Sequence, residues 1–157
     1  DCQFKKVLAG LLLLGVFFIP VTSFAEIIRT DNGIALEGYD LVAYFTTHTP
    51  TRGSAKYSIK ISETIFYFAS LENRQLFRKN PRKYLPEYGG YCAFGVAKNN
   101  AKVPPDPKTF KIYNGELLLF YNDFYQGQVV NTIVPWNQDE QTWHNMAEKN
   151  WLLLKED

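Results

Sequence analysis

A small α+β domain, with antiparallel hairpins, helices packed on one face and a helix at the C-terminus, is the fold class that this sequence predicts. Three observations carry the expectation. Lys56 to Ile61 alternates polar and apolar residues and, after Ser62-Glu63-Thr64, Ile65 to Phe68 returns as an apolar, aromatic run, which is the pattern of a hairpin. Asn114-Gly115 separates Thr109–Tyr113 from Glu116–Tyr121, and since both turn residues tolerate positive φ, a second hairpin closes there through a type I′ turn. From about Glu140 to Leu153, Trp143, Met146, Ala147 and Trp151 recur at i, i+3, i+4 and i+8, one apolar stripe of a helix that Asn137 or Asp139 can cap.

The 157 residues suffice for one domain, and 46% hydrophobic with 16% aromatic residues supplies one compact core and argues against a disordered chain. Residues 1–25 stand apart from that core. Lys5-Lys6 is a basic start, Val7 to Ile19 a 13-residue apolar run, and Ser23-Phe24-Ala25 a small-x-small cleavage site, together a secretory signal. The run is short against the roughly 20 residues of a spanning helix. The expectation is therefore an exported protein, in the bacterial periplasm or secreted, whose single domain over 26–157 has no membrane span once the signal is cleaved. Taking Lys5 and Lys6 from 17 basic residues and Asp1 from 16 acidic ones leaves 15 of each. A neutral domain without a basic cluster points away from nucleic acid.

Glu26 to Asn32 reads as an extended or irregular lead into a turn at Asp31-Asn32-Gly33, and Ile34-Ala35-Leu36 begins the domain. Gly38-Tyr39-Asp40 is a further turn, with Asp40 placed to cap Leu41 to Phe45. Thr46 to Ser54 is a polar loop carrying His48. Past the middle of the chain, Lys98 to Pro107 is polar and Pro-rich, hence a loop. Phe124 to Ile133 has Tyr125, Val129 and Val130 at helix-like spacing, and Pro135 interrupts before the last helix.

Local signals concentrate between Ile65 and Val96. Ser70 follows the strand as an N-cap with Glu72 in the first turn, and the helix turns Leu71, Leu76 and Phe77 inward. Asn80-Pro81 repeats the cap, so a second short helix holds Tyr84 and Leu85 until Pro86 and Gly89-Gly90 end it. The two glycines permit positive φ or close approach, which sets Cys92 just past a tight turn. Tyr84, Tyr88, Tyr91 and Phe94 surround the glycines as an aromatic cluster.

The pattern Gly38-Tyr39-Asp40 with Ala43-Tyr44-Phe45, then Tyr67 to Ala97 (YFASLENRQLFRKNPRKYLPEYGGYCAFGVA), then Asp106 to Asn122, resembles the exported, stand-alone members of the YHS-domain family. The resemblance spans roughly Leu36 to Asn122 and, more loosely, the C-terminal helix. It is the combination of motifs that is specific. Metal sites proposed for copper-transport relatives are built on a Phe-Cys-Ser after the hairpin. Here Phe68-Ala69-Ser70 stands at that place, and Tyr57-Ser58-Ile59 where the Tyr-His-Ser triplet would be, so two soft-ligand positions are absent. Leu41 stands where a Pro often follows the Asp.

Cys92 is the one cysteine left after processing, so in an oxidising compartment it is buried, ligated, paired between chains or reactive. As a metal ligand it has only His48, His144 and Met146 as soft or imidazole co-ligands, toward zinc or Cu(I), with no CxxC or HxxxH spacing in support. As a catalytic thiol it needs His144 as base. As a small core residue it needs nothing. Asp40 and Asp106 read as turn caps before they read as an acid–base pair, and GYCAFG lacks the Lys and helix context of a phosphate loop. The reading that results is a non-enzymatic YHS-like binding domain for a small ligand, metal or protein partner. Its site is Tyr88, Gly89, Gly90, Tyr91, Cys92 and Phe94, with Asp40, Tyr44 and Asp106 as the supporting residues that the resemblance implies. A copper or heavy-metal accessory protein is the alternative, and a thiol enzyme the third class.

Overall fold

The computed structural model describes residues 28–157; the signal expected over residues 1–25 lies outside them. Two short strands, β1 (Thr30–Asp31) and β2 (Ile34–Ala35), close over the Asn32-Gly33 turn, and β3 (Ser54–Ile61) pairs with β4 (Thr64–Phe68) as the alternation predicts. They form one sheet in the order β1-β2-β4-β3, antiparallel except for β2 against β4. Between them lies α1 (Ala43–Thr46). The Asn114-Gly115 hairpin is present as β5 (Asp106–Tyr113) and β6 (Glu116–Phe120), with φ of 50° and 81° at the two turn residues.

The expected helix after β4 is α2 (Leu71–Lys79), and the Ser70 hydroxyl accepts the Asn73 N–H at 3.1 Å. Phe77 is fully buried, its ring 4.8 and 5.0 Å from those of Phe66 and Phe68. Leu71, expected inward, is 46% exposed, because at roughly 100° per residue it lies about 120–140° around the helix from Leu76 and Phe77. The second short helix reduces to one 3-10 turn, Pro81–Lys83, and Asn80 makes no side-chain cap bond. The chain there leaves helical geometry so that Pro86 can bridge to Leu117 and the Glu87 N–H can bond the Leu117 carbonyl at 2.9 Å.

Three further elements depart from the sequence reading. A helix, α3 (Ala93–Asn99), follows Cys92 directly, so the residues after the glycines do have helix context. Where a helix was expected over Phe124 to Ile133, β7 (Asn122–Tyr125) and β8 (Gln128–Asn131) form a third hairpin around Gln126-Gly127; β-branched and aromatic residues favour strands, and both turn residues take positive φ. Pro135 does not interrupt but sits in the first turn of α4 (Ile133–Gln138), where a missing N–H costs nothing.

The last helix is α5 (Glu140–Leu154); Asp139 precedes it without a side-chain cap bond, and Met146, placed on the inner stripe by spacing, is 40% exposed. Ala147 is buried, with Trp143 and Trp151 packed against the same core. The Asn150 amide donates to the carbonyls of Val96 and Ala97 at 2.9 and 3.0 Å, filling acceptors that the end of α3 leaves open.

The interior is two clusters. One holds Leu36, Tyr44, Phe66, Phe68, Phe77, Tyr84, Leu117 and Leu119; the other holds Tyr88, Cys92, Phe94, Val96, Leu118, Phe120, Trp136 and Ala147. The first is pinned by Asp40, which is fully buried. Its Oδ1 accepts from the N–H groups of Val42 and Ala43 at 2.8 and 3.2 Å, and its Oδ2 from the Ala69 N–H and the Asn73 amide at 2.8 and 2.7 Å. One carboxylate thus caps α1 and ties it to the start of α2. Asp40→Asn would set an amide N–H₂ against two of these donors, and the expected loss is about 3 kcal/mol in urea unfolding; a variant within 0.5 kcal/mol of the parent, roughly the span of neutral surface changes, would show that this node is dispensable.

Candidate functional site

Tyr88, Gly89 and Gly90 take φ of 54°, 59° and 77° in succession, a left-handed turn for which glycine is the cheap residue. A Cβ on Gly90 would meet the Pro86 ring at 3.3 Å. The turn delivers Cys92 as the N-cap of α3, where its Sγ accepts the Gly95 N–H at 3.3 Å. Sγ also lies 3.3 Å from Thr132 Oγ1, and that hydroxyl donates to the Tyr121 carbonyl at 2.9 Å. With the hydroxyl proton so committed, the thiol is the donor toward Thr132. Of the four fates open to Cys92, burial is the one observed: the residue exposes 0% of its surface.

Above this sulfur the third hairpin stands away from α3 and leaves a recess of about 450 Å³. Cys92 and Gly95 form its floor, Phe94, Val103, Tyr121, Tyr125 and Val130 its walls, and Lys98, Asn99 and Thr132 its polar points. Since Cys92 has no solvent exposure, it contributes to the floor without presenting a free thiol. Gly95 is required for close packing, because a Cβ there would come within 2.8 Å of Val103 Cγ2. Among the described residues the hairpin is held near its base, through Thr132 N–H to the Tyr121 carbonyl at 2.9 Å and Asn122 to Thr109 at 3.0 Å, and by the Tyr121 hydroxyl donating to the Phe124 carbonyl at 2.9 Å, while Phe124, Tyr125 and Val129 are 70%, 60% and 68% exposed.

Of the residues singled out from sequence, Cys92 and Phe94 reach this recess and the others do not line it. Gly89 and Gly90 are buried in the turn. The aromatic cluster is divided: Tyr84 packs with Phe45 and Phe77, Tyr88 and Tyr91 against Trp151, and Phe94 against Trp143. Asp40 is the capping node described above. Tyr44 is buried, donates to the Pro107 carbonyl at 2.6 Å and has its phenol raised, chiefly by burial. Asp106 accepts from the Lys108 N–H and Thr109 hydroxyl at 3.0 and 2.7 Å, a turn bond of the Asx kind.

The ligand set Cys92, His48, His144 and Met146 is not assembled. His48 is exposed on the loop after α1, Met146 projects from α5, and His144 Nε2 faces Glu116 Oε2 at 3.3 Å and Glu148 Oε1 at 4.0 Å. Among the described residues no group of three or more His, Cys, Asp or Glu is placed to hold a metal ion. The partners of Cys92 and His144 differ, so the thiol–imidazole pair of a thiol enzyme is not formed either. No protein-family model, curated protein or solved structure matches the chain. The recess itself therefore carries the functional argument. Sequence reasoning missed Tyr125, Val130 and Thr132 because it read their segment as helix, and Tyr121 because it was read only as the end of a hairpin strand; the signal that locates the first three is Gly127 at the second turn position between two runs that contain aromatic and β-branched residues.

On the far side of the second core, Glu87, Glu116 and Glu148 converge around His144. Burial first, then Glu116 and Glu148, raises the Glu87 carboxyl from 4.5 to about 7, against a lowering by His144. Tyr88 donates to Glu148 at 2.9 Å, and its phenol is raised by burial and by that bond. A carboxyl raised on folding stabilises the fold fully below its unfolded value and loses that contribution as pH climbs through the folded value. Glu87→Gln should therefore match the parent near pH 4 and exceed it increasingly in melting temperature as pH rises from about 4.5 to about 7; a gap independent of pH would refute the assignment. The buried thiol makes its own prediction. Cys92 in native protein should react with Ellman's reagent at least about 100-fold more slowly than in urea, since reaction needs opening of the fold, and equal rates would place the sulfur at the surface.

Proposed function

We propose that this chain is an exported, non-enzymatic, YHS-like binding domain whose ligand is a small, mostly apolar molecule held between α3 and the third hairpin. One observation carries the reading: a recess of about 450 Å³ has apolar walls and a few polar points, within the roughly 300–1,000 Å³ and the mostly apolar lining typical of ligand sites. Cys92 of the Gly-Gly-Tyr-Cys segment and Phe94 two residues on help build it, which keeps the site next to the turn that the sequence singled out. The exposed ring of Tyr125, on a hairpin bonded near its base, supplies one wall for a guest to pack under.

Val130→Trp fills the recess from β8 and provides the test. Native mass spectrometry with elemental analysis, on protein recovered from its own compartment, should find a small organic molecule on the parent chain and none on Val130→Trp. A stoichiometric metal without an organic guest would overturn the reading in favour of heavy-metal handling.

A further inference from the structure

We infer that the recess selects a single-chain anionic amphiphile, a fatty carboxylate with its tail inside and its head at Lys98. This rests on the recess being the binding site, and it follows from how the polar groups around it are already committed.

At the inner end no donor is free. The Gly95 N–H bonds Cys92 Sγ, the thiol proton faces Thr132, and the Thr132 hydroxyl bonds the Tyr121 carbonyl; nearer solvent, the Tyr121 hydroxyl is also committed, donating to the Phe124 carbonyl at 2.9 Å. A polar head pushed inward would lose its water and find no replacement, at a cost of roughly 1–3 kcal/mol. The floor accepts only hydrocarbon.

The mouth is different. Lys98 is the one charged residue lining the recess, no Asp or Glu joins it there, and it forms no ion pair among the described residues. Its ammonium lies 5.7 Å from the centroid of Phe94, which lines the recess, and 5.9 Å from that of Trp143, which packs edge-on against Phe94 from outside it. Two ring faces hold the cation beside the opening. Asn99 adds an amide donor next to it. An apolar slot closed to polar groups at one end and topped by an uncompensated cation complements one ligand type, a hydrocarbon tail with a small anionic head.

Calorimetric titration of the chain with decanoate, decanol and decyltrimethylammonium tests this directly. Decanoate should bind at one equivalent about tenfold more tightly than decanol, and decyltrimethylammonium most weakly. Lys98→Met, which keeps the stem and removes the charge, should bring decanoate to the level of decanol while decanol binding stays unchanged; Val130→Trp should abolish all three. If decanoate gains nothing over decanol, or keeps its advantage in Lys98→Met, charge selection is wrong and the recess reading survives. If none of the three binds, or Val130→Trp binds them as the parent does, the recess reading falls and takes the inference with it.

Discussion

The molecule is organised by a strand that is apolar on both faces. Leu117, Leu118, Leu119 and Phe120 of β6 are all fully buried, and side chains along a strand alternate between faces. Leu117 and Leu119 enter the core with Phe66, Phe68 and Phe77, while Leu118 and Phe120 enter the core with Cys92, Val96 and Trp136. One strand therefore forces two cores back to back, and each has to be covered by its own elements. The four-stranded sheet and α2 cover the first; α3, α4 and α5 cover the second.

Because both faces of β6 are apolar, hydrophobic pattern alone would not choose between registers one residue apart. The two-residue turn at Asn114-Gly115 fixes the register against β5, and the Glu87 N–H bonded to the Leu117 carbonyl fixes the other edge. Cys92 bridges to Leu119 on the same edge. The segment from Pro86 to Cys92 thus runs as an extra strand-like neighbour of β6, and the left-handed turn within it is what returns the chain into α3. The candidate site is a by-product of this arrangement. Once α3 is seated on the second core, the hairpin that follows β6 is tied down near its base, and the space between it and α3 becomes the recess.

Much of the fold was legible where the signal is local. The Ser70 cap needs only a hydroxyl and the N–H three residues on, and the Asn114-Gly115 turn needs only two residues that tolerate positive φ. Asp40 was legible as the cap of α1, whereas its second pair of bonds, to Ala69 and Asn73, joins residues about thirty apart and has no local trace. The third hairpin was read as helix because Tyr125, Val129 and Val130 fit either period, and Gln-Gly is a weaker turn signal than Asn-Gly. Leu71 and Met146 were read as buried from apolarity and spacing, although each lies to the outside of its helix. Cys92 and Phe94 were found as site residues; Lys98, Tyr125, Val130 and Thr132 were not, since they meet only when α3 and the hairpin face each other.

What the residues by themselves determined is the α+β composition, the first two hairpins, the caps, the strained turn before Cys92 and the C-terminal helix, because each depends on neighbours within a few positions. Tertiary structure decided that Cys92 is sealed and hydrogen-bonded through its proton, that Asp40, Tyr44 and Asp106 serve the scaffold, and that an apolar recess opens beside Lys98. Those outcomes depend on which surfaces β6 brings together across tens of residues. No window of sequence contains that information.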